Sequence, residues 1–165
     1  MTVGRFLGGV GALIWDPDSH RYLLLRRSQE KDFAPGAWEC ITGRVDQGEG
    51  FEDAVRREVR EEAGIEVALD FIIGTTHFHR GVVSAENELI GVVYHCSRVD
   101  ARPIVTSLEH DAARWVTTSE ALALLDGEMA TELWLQRVMV RAEMLRQQLP
   151  VAVIAQNRQR GFELG

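Results

Sequence analysis

Apolar residues recur along this chain with two different periods, and the changes of period mark out its elements. Residues 7–16 (LGGVGALIWD) read as a strand that stops at the turn residues Pro17 and Asp18. Residues 21–28 (RYLLLRRS) read as a second strand, which makes a hairpin with the first. A loop over 31–37 leads to a strand at 38–44 (WECITGR), and a helix then runs from a first turn at Phe51 and Ala54 to Gly64. Residues 67–81 predict a long, bulged strand, and 87–99 its antiparallel neighbour. Residues 113–118 (ARWVTT) predict a last short strand, after which Ser119 is expected to cap the helix SEALALL. Residues 130–149 place Leu133, Leu135, Val138, Val140, Met144 and Leu145 at helical spacing, ending at Pro150. The order predicts an α/β protein: a mixed β-sheet with helices on both faces, an α/β/α sandwich, in one domain over 1–150. The tail, 151–165, has a short apolar run at 151–155. An added strand, packing under the long helix, docking on a second subunit and a partly ordered terminus all fit it.

The helix that ends at Gly64 is the chemically loaded one. Positions i, i+3 and i+4 share a helix face, so Glu58, Glu61 and Glu62 crowd together. Val55, Val59 and Ala63 form the apolar stripe. Glu58 and Glu62 border it, whereas Arg56 and Arg60 point away. A solvated charged face would lie opposite the stripe and mix its signs. Like charges at this spacing also cost helix stability, so the arrangement has no evident structural reward. A hard divalent cation relieves it, since Mg²⁺ takes oxygen ligands and keeps positions for water and phosphate. Glycines at 43, 48 and 50 punctuate the approach, Glu49, Glu52 and Asp53 suit the positive end of the helix dipole, and Gly64 is placed for a left-handed cap.

Composition restricts the function classes. With 165 residues, 45% hydrophobic and 26% charged, the chain suits one ordinary domain. A net charge of −7 argues against binding a nucleic-acid polymer through its backbone, but not against nucleotides, because a metal ion supplies positive charge. No apolar run is long enough to span a membrane, and the amino terminus has no signal-peptide pattern. Cys40 and Cys96 form no C-x-x-C pair. A cytoplasmic protein with reduced thiols is the expectation.

Residues 43–65, GRVDQGEGFEDAVRREVREEAGI, resemble the Nudix box, G-x5-E-x7-R-E-U-x-E-E-x-G-U with U apolar. Gly43, Glu49, Arg57, Glu58, Val59, Glu61, Glu62, Gly64 and Ile65 fill its fixed positions without a gap. Many members carry Pro-Gly-Gly at the start of the box, where this chain has Thr42, Gly43 and Arg44. The resemblance implies a Nudix fold and hydrolysis of a nucleoside diphosphate linked to another moiety X, or of a nucleoside triphosphate. It implies Mg²⁺ or Mn²⁺ as cofactor, with Glu58, Glu61 and Glu62 as ligands. It implies that Arg57 orients the acids through Glu49 and Glu61, and that the Gly43 carbonyl lies near the metal. Many members are dimers, so a homodimer is a further expectation.

The general base varies within the family: Glu58 or Glu61 would serve inside the box, and Glu109 is the outside candidate, in a loop before a strand. A lone loop histidine such as His110 reads as a surface residue. Arg26 and Arg27 end a strand and have phosphate within their reach, Arg44 adds a cation beside the box, and Trp38 or Phe33 offers a face for a base. Trp15, Trp115 and Trp134 read as core. His77 and His79 share a strand face, and 84–88 form a polar hairpin tip. Two other readings remain: hydrolysis of a non-nucleotide diphosphate, or a ligand-sensing or protein-binding domain without catalysis.

Overall fold

The computed structural model describes residues 4–125 and 127–165. Seven strands, β1 (Leu7–Asp16), β2 (Arg21–Arg27), β3 (Trp38–Glu39), β4 (Ile41–Arg44), β5 (Val67–His79), β6 (Glu88–Arg98) and β7 (His110–Val116), form one mixed sheet. Strand β1 is its hub. It runs parallel to β6 and antiparallel to β4 through Gly9–Ala12 and to β2 at Trp15 and Asp16. The order β3-β2-β1-β6-β5 leaves β4 paired to β1 and β7 to β2.

Alternation along the strands divides the core in two. One face carries Ile14, Leu23, Leu25, Ile41 and Tyr94, covered by Ala54, Val55, Val59 and Ala63 of α1 (Phe51–Ala63). The other carries Leu13, Tyr22, Leu24, Trp38 and Phe71, covered by α2 (Thr118–Leu124) and by Leu135, Val138, Met139 and Ala142 of α3 (Ala130–Gln148). This is the expected α/β/α sandwich.

Several local expectations need correction. The strand at 38–44 breaks at Cys40, because its halves pair with different strands, β3 with β2 and β4 with β1. The last strand starts earlier, at His110, since β7 follows β2 back to Arg27. The cap of α2 is Thr117: its hydroxyl accepts the Glu120 N–H, and the Glu120 carboxylate accepts the Thr117 N–H. On α3 the buried stripe is Leu135, Val138, Met139 and Ala142, so Leu133, Val140 and Met144 are exposed. Trp15 is buried in the core, while Trp115 and Trp134 are half-buried at its margins. The expected bulges in β5 do occur, at Leu69–Phe71 and Ile72–Gly74.

The tail is a fourth helix, α4 (Val151–Arg160), begun by Pro150. Ile154 meets the α3-side core and Phe162 the α1-side core. The tail therefore crosses the β5 edge from one face of the sheet to the other. Asp70 in β5 anchors it, accepting from Arg158 Nε at 2.6 Å, while the Asp70 carbonyl accepts from Asn157. Asp70 also binds His95 and Ser97, all of them buried. No helix among the described residues is long and apolar enough to cross a membrane.

Candidate active site

Helix α1 and strand β4 meet at the start of the acidic box. Gly64 ends α1 in the left-handed region at φ 69°, donating its N–H to the Arg60 carbonyl. Arg57 ties the first half of the box to the second. Its Nε and Nη2 each reach Glu49 at 2.9 Å, Nη2 also reaches the Arg44 carbonyl, and Nη1 reaches Glu58 at 2.8 Å and Glu61 at 3.3 Å. The Arg57 bonds, helped by the Asp46 N–H, hold Glu49 down at about 2. Arg57 therefore touches Glu49 and Glu61, the two acids named for it above, and Glu58 as well.

The three expected ligands differ in setting. Glu61 is exposed. Glu58 lies against β4 and accepts the Arg44 backbone N–H; burial lifts its pKa against the pull of Arg57. Glu62 is buried, and its Oε2 has no hydrogen-bond partner. Burial, and then the charges of Glu39, Glu58 and Glu109, push Glu62 up to about 9. Among the described residues, no three His, Cys, Asp or Glu side chains converge closely enough to hold a metal ion. Arg57 holds Glu58 and Glu61 to itself instead. The donors nonetheless fit a hard divalent cation. They are all carboxylate oxygens, one of them buried and unpartnered, and their mutual repulsion is what a cation relieves.

Beyond the box, the sheet brings in groups that lie far away in sequence. Glu39 of β3, on the α1 side, accepts from Arg27 Nη1 at 3.0 Å and pairs with His110 Nε2 at 2.8 Å. His110 is thus a buried strand residue, contrary to the surface reading. Glu109, next to it, is exposed and bound to Lys31 Nζ at 2.6 Å; that bond lowers its pKa more than burial raises it. Arg80 joins from the β5–β6 connection. Its guanidinium lies 5.8 Å from the centroid of Phe33, with Arg27 6.0 Å from the same ring. Burial, and then the charges of Arg44 and Arg27, lower the Arg80 pKa. Carboxylates and arginines thus share one face at the end of α1, which suits an anionic substrate carrying a cation.

Arg26 and Trp38 lie elsewhere. Neighbours along a strand take opposite faces, so Arg27 joins the acids while Arg26 turns to the α3 side and pairs with Asp111 at 2.6 Å. Trp38 is a core residue, 7% exposed, with Arg26 and Arg114 over its ring. It is not placed as an open stacking surface. His77 binds Glu88 at the far end of β5 and packs edge-on against His79. Sequence reasoning missed Glu39 and Arg80. Alternation along β3 would have found Glu39, but only a known strand pairing brings Arg80 in. A surface hollow lined by Arg21, Arg114, Trp115 and Glu120 shares no residue with the acidic cluster.

Known proteins resemble this chain in sequence and in fold. The NUDIX domain family model matches residues 5–138. The nucleoside triphosphatase NudI of Salmonella schwarzengrund is 33% identical over 117 residues, which is 67% of this chain and 82% of that protein. The NAD-capped RNA hydrolase NUDT12 of Macaca fascicularis is 51% identical over 51 residues, 31% of this chain; the chain spans only 10% of that protein. The crystal structure of the MutT protein from Methanosarcina mazei Go1 superposes with a TM-score of 0.70 at 27% identity, covering 90% of this chain and all of that one. With its box unbroken and the family model matching it over residues 5–138, the chain belongs to the NUDIX family of hydrolases.

Proposed function

We propose that this protein hydrolyses a diphosphate bond in a nucleoside diphosphate linked to X, or in a nucleoside triphosphate, with Mg²⁺ or Mn²⁺ held by Glu58, Glu61 and Glu62. The observation that carries this reading is the buried, unpartnered Glu62 oxygen in a cluster of carboxylates. It marks a place where a cation is wanted. A bound Mg²⁺ or Mn²⁺ neutralises phosphate oxygens and lowers the pKa of water.

The chain's own groups do the rest. Arg44 and Arg80 bind phosphate oxygens at the rim of the cluster, and Arg27 donates to Glu39. Arg57 holds Glu49, Glu58 and Glu61 in register. Glu109, kept ionised by Lys31 and open to solvent, accepts the proton of the attacking water. The water oxygen bonds to phosphorus as the anhydride oxygen departs with the bonding pair. Phe33, backed by two guanidiniums, offers an aromatic surface beside the phosphate site. The triphosphatase name of a relative matched over most of its length supports a nucleotide substrate.

The test is a substrate panel with Mg²⁺ and with Mn²⁺, covering dNTPs, oxidised dGTP, nucleotide sugars, ADP-ribose, NAD, dinucleoside polyphosphates and dihydroneopterin triphosphate. Wild type should turn over at least one member. Glu62→Gln should turn it over slower by orders of magnitude with its circular dichroism unchanged. Equal rates would remove the metal assignment, and metal binding without any turnover would favour a sensing domain.

A further inference from the structure

The amino end of α1 is capped from the other end of the chain. Its N-cap residue, Gly50, has no side chain to offer. Glu163 fills the role: its Oε1 accepts the Phe51 N–H at 2.7 Å. In return, Glu52 Oε1 accepts the backbone N–H of Phe162 and that of Glu163, the latter at 2.9 Å. Each carboxylate thus satisfies backbone donors in the other's segment, as in a capping box, but with its halves 112 residues apart. Glu52 is buried, with Arg56 against its other oxygen. The contact needs a close approach: a Cβ at Gly161, where φ is 73°, would fall 2.8 Å from Glu52 Oε1. The ring of Phe162 sits edge-on to Tyr94 at 5.5 Å, and Arg158 and Asn157 pin the preceding helix to Asp70. Residues 151–163 are therefore a strap, bolted at β5 and clipped to the first turn of α1.

That first turn is where the acidic box is assembled. Glu49, which holds Arg57, lies one residue before the N-cap, and Glu58 follows Glu52 by less than two turns of a stiff rod. A frayed first turn slackens the Glu49–Arg57 pair, and through it Glu58. We propose that Glu52 and Glu163 are positioning residues, holding α1 and the Glu49–Arg57 pair where Glu58 and Glu62 are presented to a divalent cation. This rests on the metal-dependent reading above.

The experiment compares full-length wild type, Glu163→Ala and Glu163→Gln. It reads Mn²⁺ binding by electron paramagnetic resonance, turnover against Mn²⁺ concentration, and Tm. Glu163→Ala should weaken Mn²⁺ binding about 10-fold, in line with other residues that orient metal ligands. It should raise the half-saturating Mn²⁺ concentration to match, while kcat at saturating Mn²⁺ changes less than about threefold. Glu163→Gln, which keeps an acceptor oxygen for Phe51, should recover most of the affinity. If Glu163→Ala lowers Tm and leaves Mn²⁺ affinity unchanged, the strap is a stability device only and the proposal falls. It also falls if Gln restores nothing. Wild type that binds no Mn²⁺ overturns the metal reading and this proposal together, whereas equal binding by wild type and variants overturns this proposal alone.

Discussion

A side chain on Gly43 would occupy the space that the Glu58 carboxyl group fills: a Cβ there would lie 1.9 Å from the carboxyl carbon. Strand β4 and helix α1 close on each other only because that position carries a hydrogen. Gly43→Ala should therefore displace Glu58 by an ångström or more. The expected result is a fall in kcat/KM of about 10²-fold, the scale on which small misplacements act. Steady-state kinetics beside a Mn²⁺ titration would check it. Undiminished activity would mean that Glu58 is free to move, and that its place against β4 does not matter to the reaction.

Arg57→Lys keeps the charge and loses the fork. The guanidinium reaches Glu49 through two nitrogens and Glu58 and Glu61 through a third; an ammonium cannot span that set. Activity should fall about 10- to 100-fold, with a small drop in Tm. If lysine supports wild-type rates, the role of Arg57 is charge alone.

Glu109→Gln should lower kcat by about 10²- to 10⁴-fold, the ordinary worth of a general base, and remove the acid limb of the pH–rate profile. Lys31 supplies a sign test. Its bond is the main cause of the lowered Glu109 pKa, so Lys31→Ala should move the acid limb to higher pH. A limb that stays in place, or survives in Glu109→Gln, assigns the proton transfer to another group.

Two buried partners, His95 and Asp70, each withdraw stability on the acid side, in different pH windows. Burial lowers the His95 pKa, against the pull of Asp70. Below the unfolded value of about 6.5, the unfolded chain takes a proton that the folded chain refuses, so stability drops by up to about 1.4 kcal/mol per pH unit. Asp70 contributes at lower pH. Burial would raise its pKa, but the His95, Ser97 and Arg158 bonds outweigh that and hold it low. Its contribution is complete above about pH 3.9 and is lost as pH falls through the folded value. The His95 contribution is read as the difference in urea midpoint between wild type and His95→Gln, which cancels the opposite slope that the raised Glu62 pKa gives below about pH 9. That difference should be constant near pH 7 to 8 and should move against wild type as pH falls below about 6.5. A difference that stays constant there would place the titration elsewhere.

The sequence carried the box, the layers and most strand positions, because these depend on local periodicity and on residues fixed at close spacing. Arg57 and Gly64 fell where the spacing put them. What it left out depends on strand pairing. Arg26 and Arg27 are adjacent, and alternation says that they face opposite ways, but only the packing of α1 over Leu23 and Leu25 tells which one joins the acids. Glu39 meets His110 because β3 and β7 both flank β2, a relation with no local signature. Thr117 is legible as the cap in the T-x-x-E pattern of 117–120, whereas Ser119 has Leu122 three residues on. The tail has weak periodicity, and its last contacts run through backbone N–H groups that no side-chain pattern records.

The distance in sequence between Phe51 and Glu163 has a consequence for the order of events during synthesis. A ribosome lays down 112 more residues after the box helix begins before the group that closes its open end exists. Contacts of such long separation form late. The first turn of α1 should then be among the last parts to settle, and a nascent chain whose sheet has already folded would still lack the closure at the start of its acidic helix.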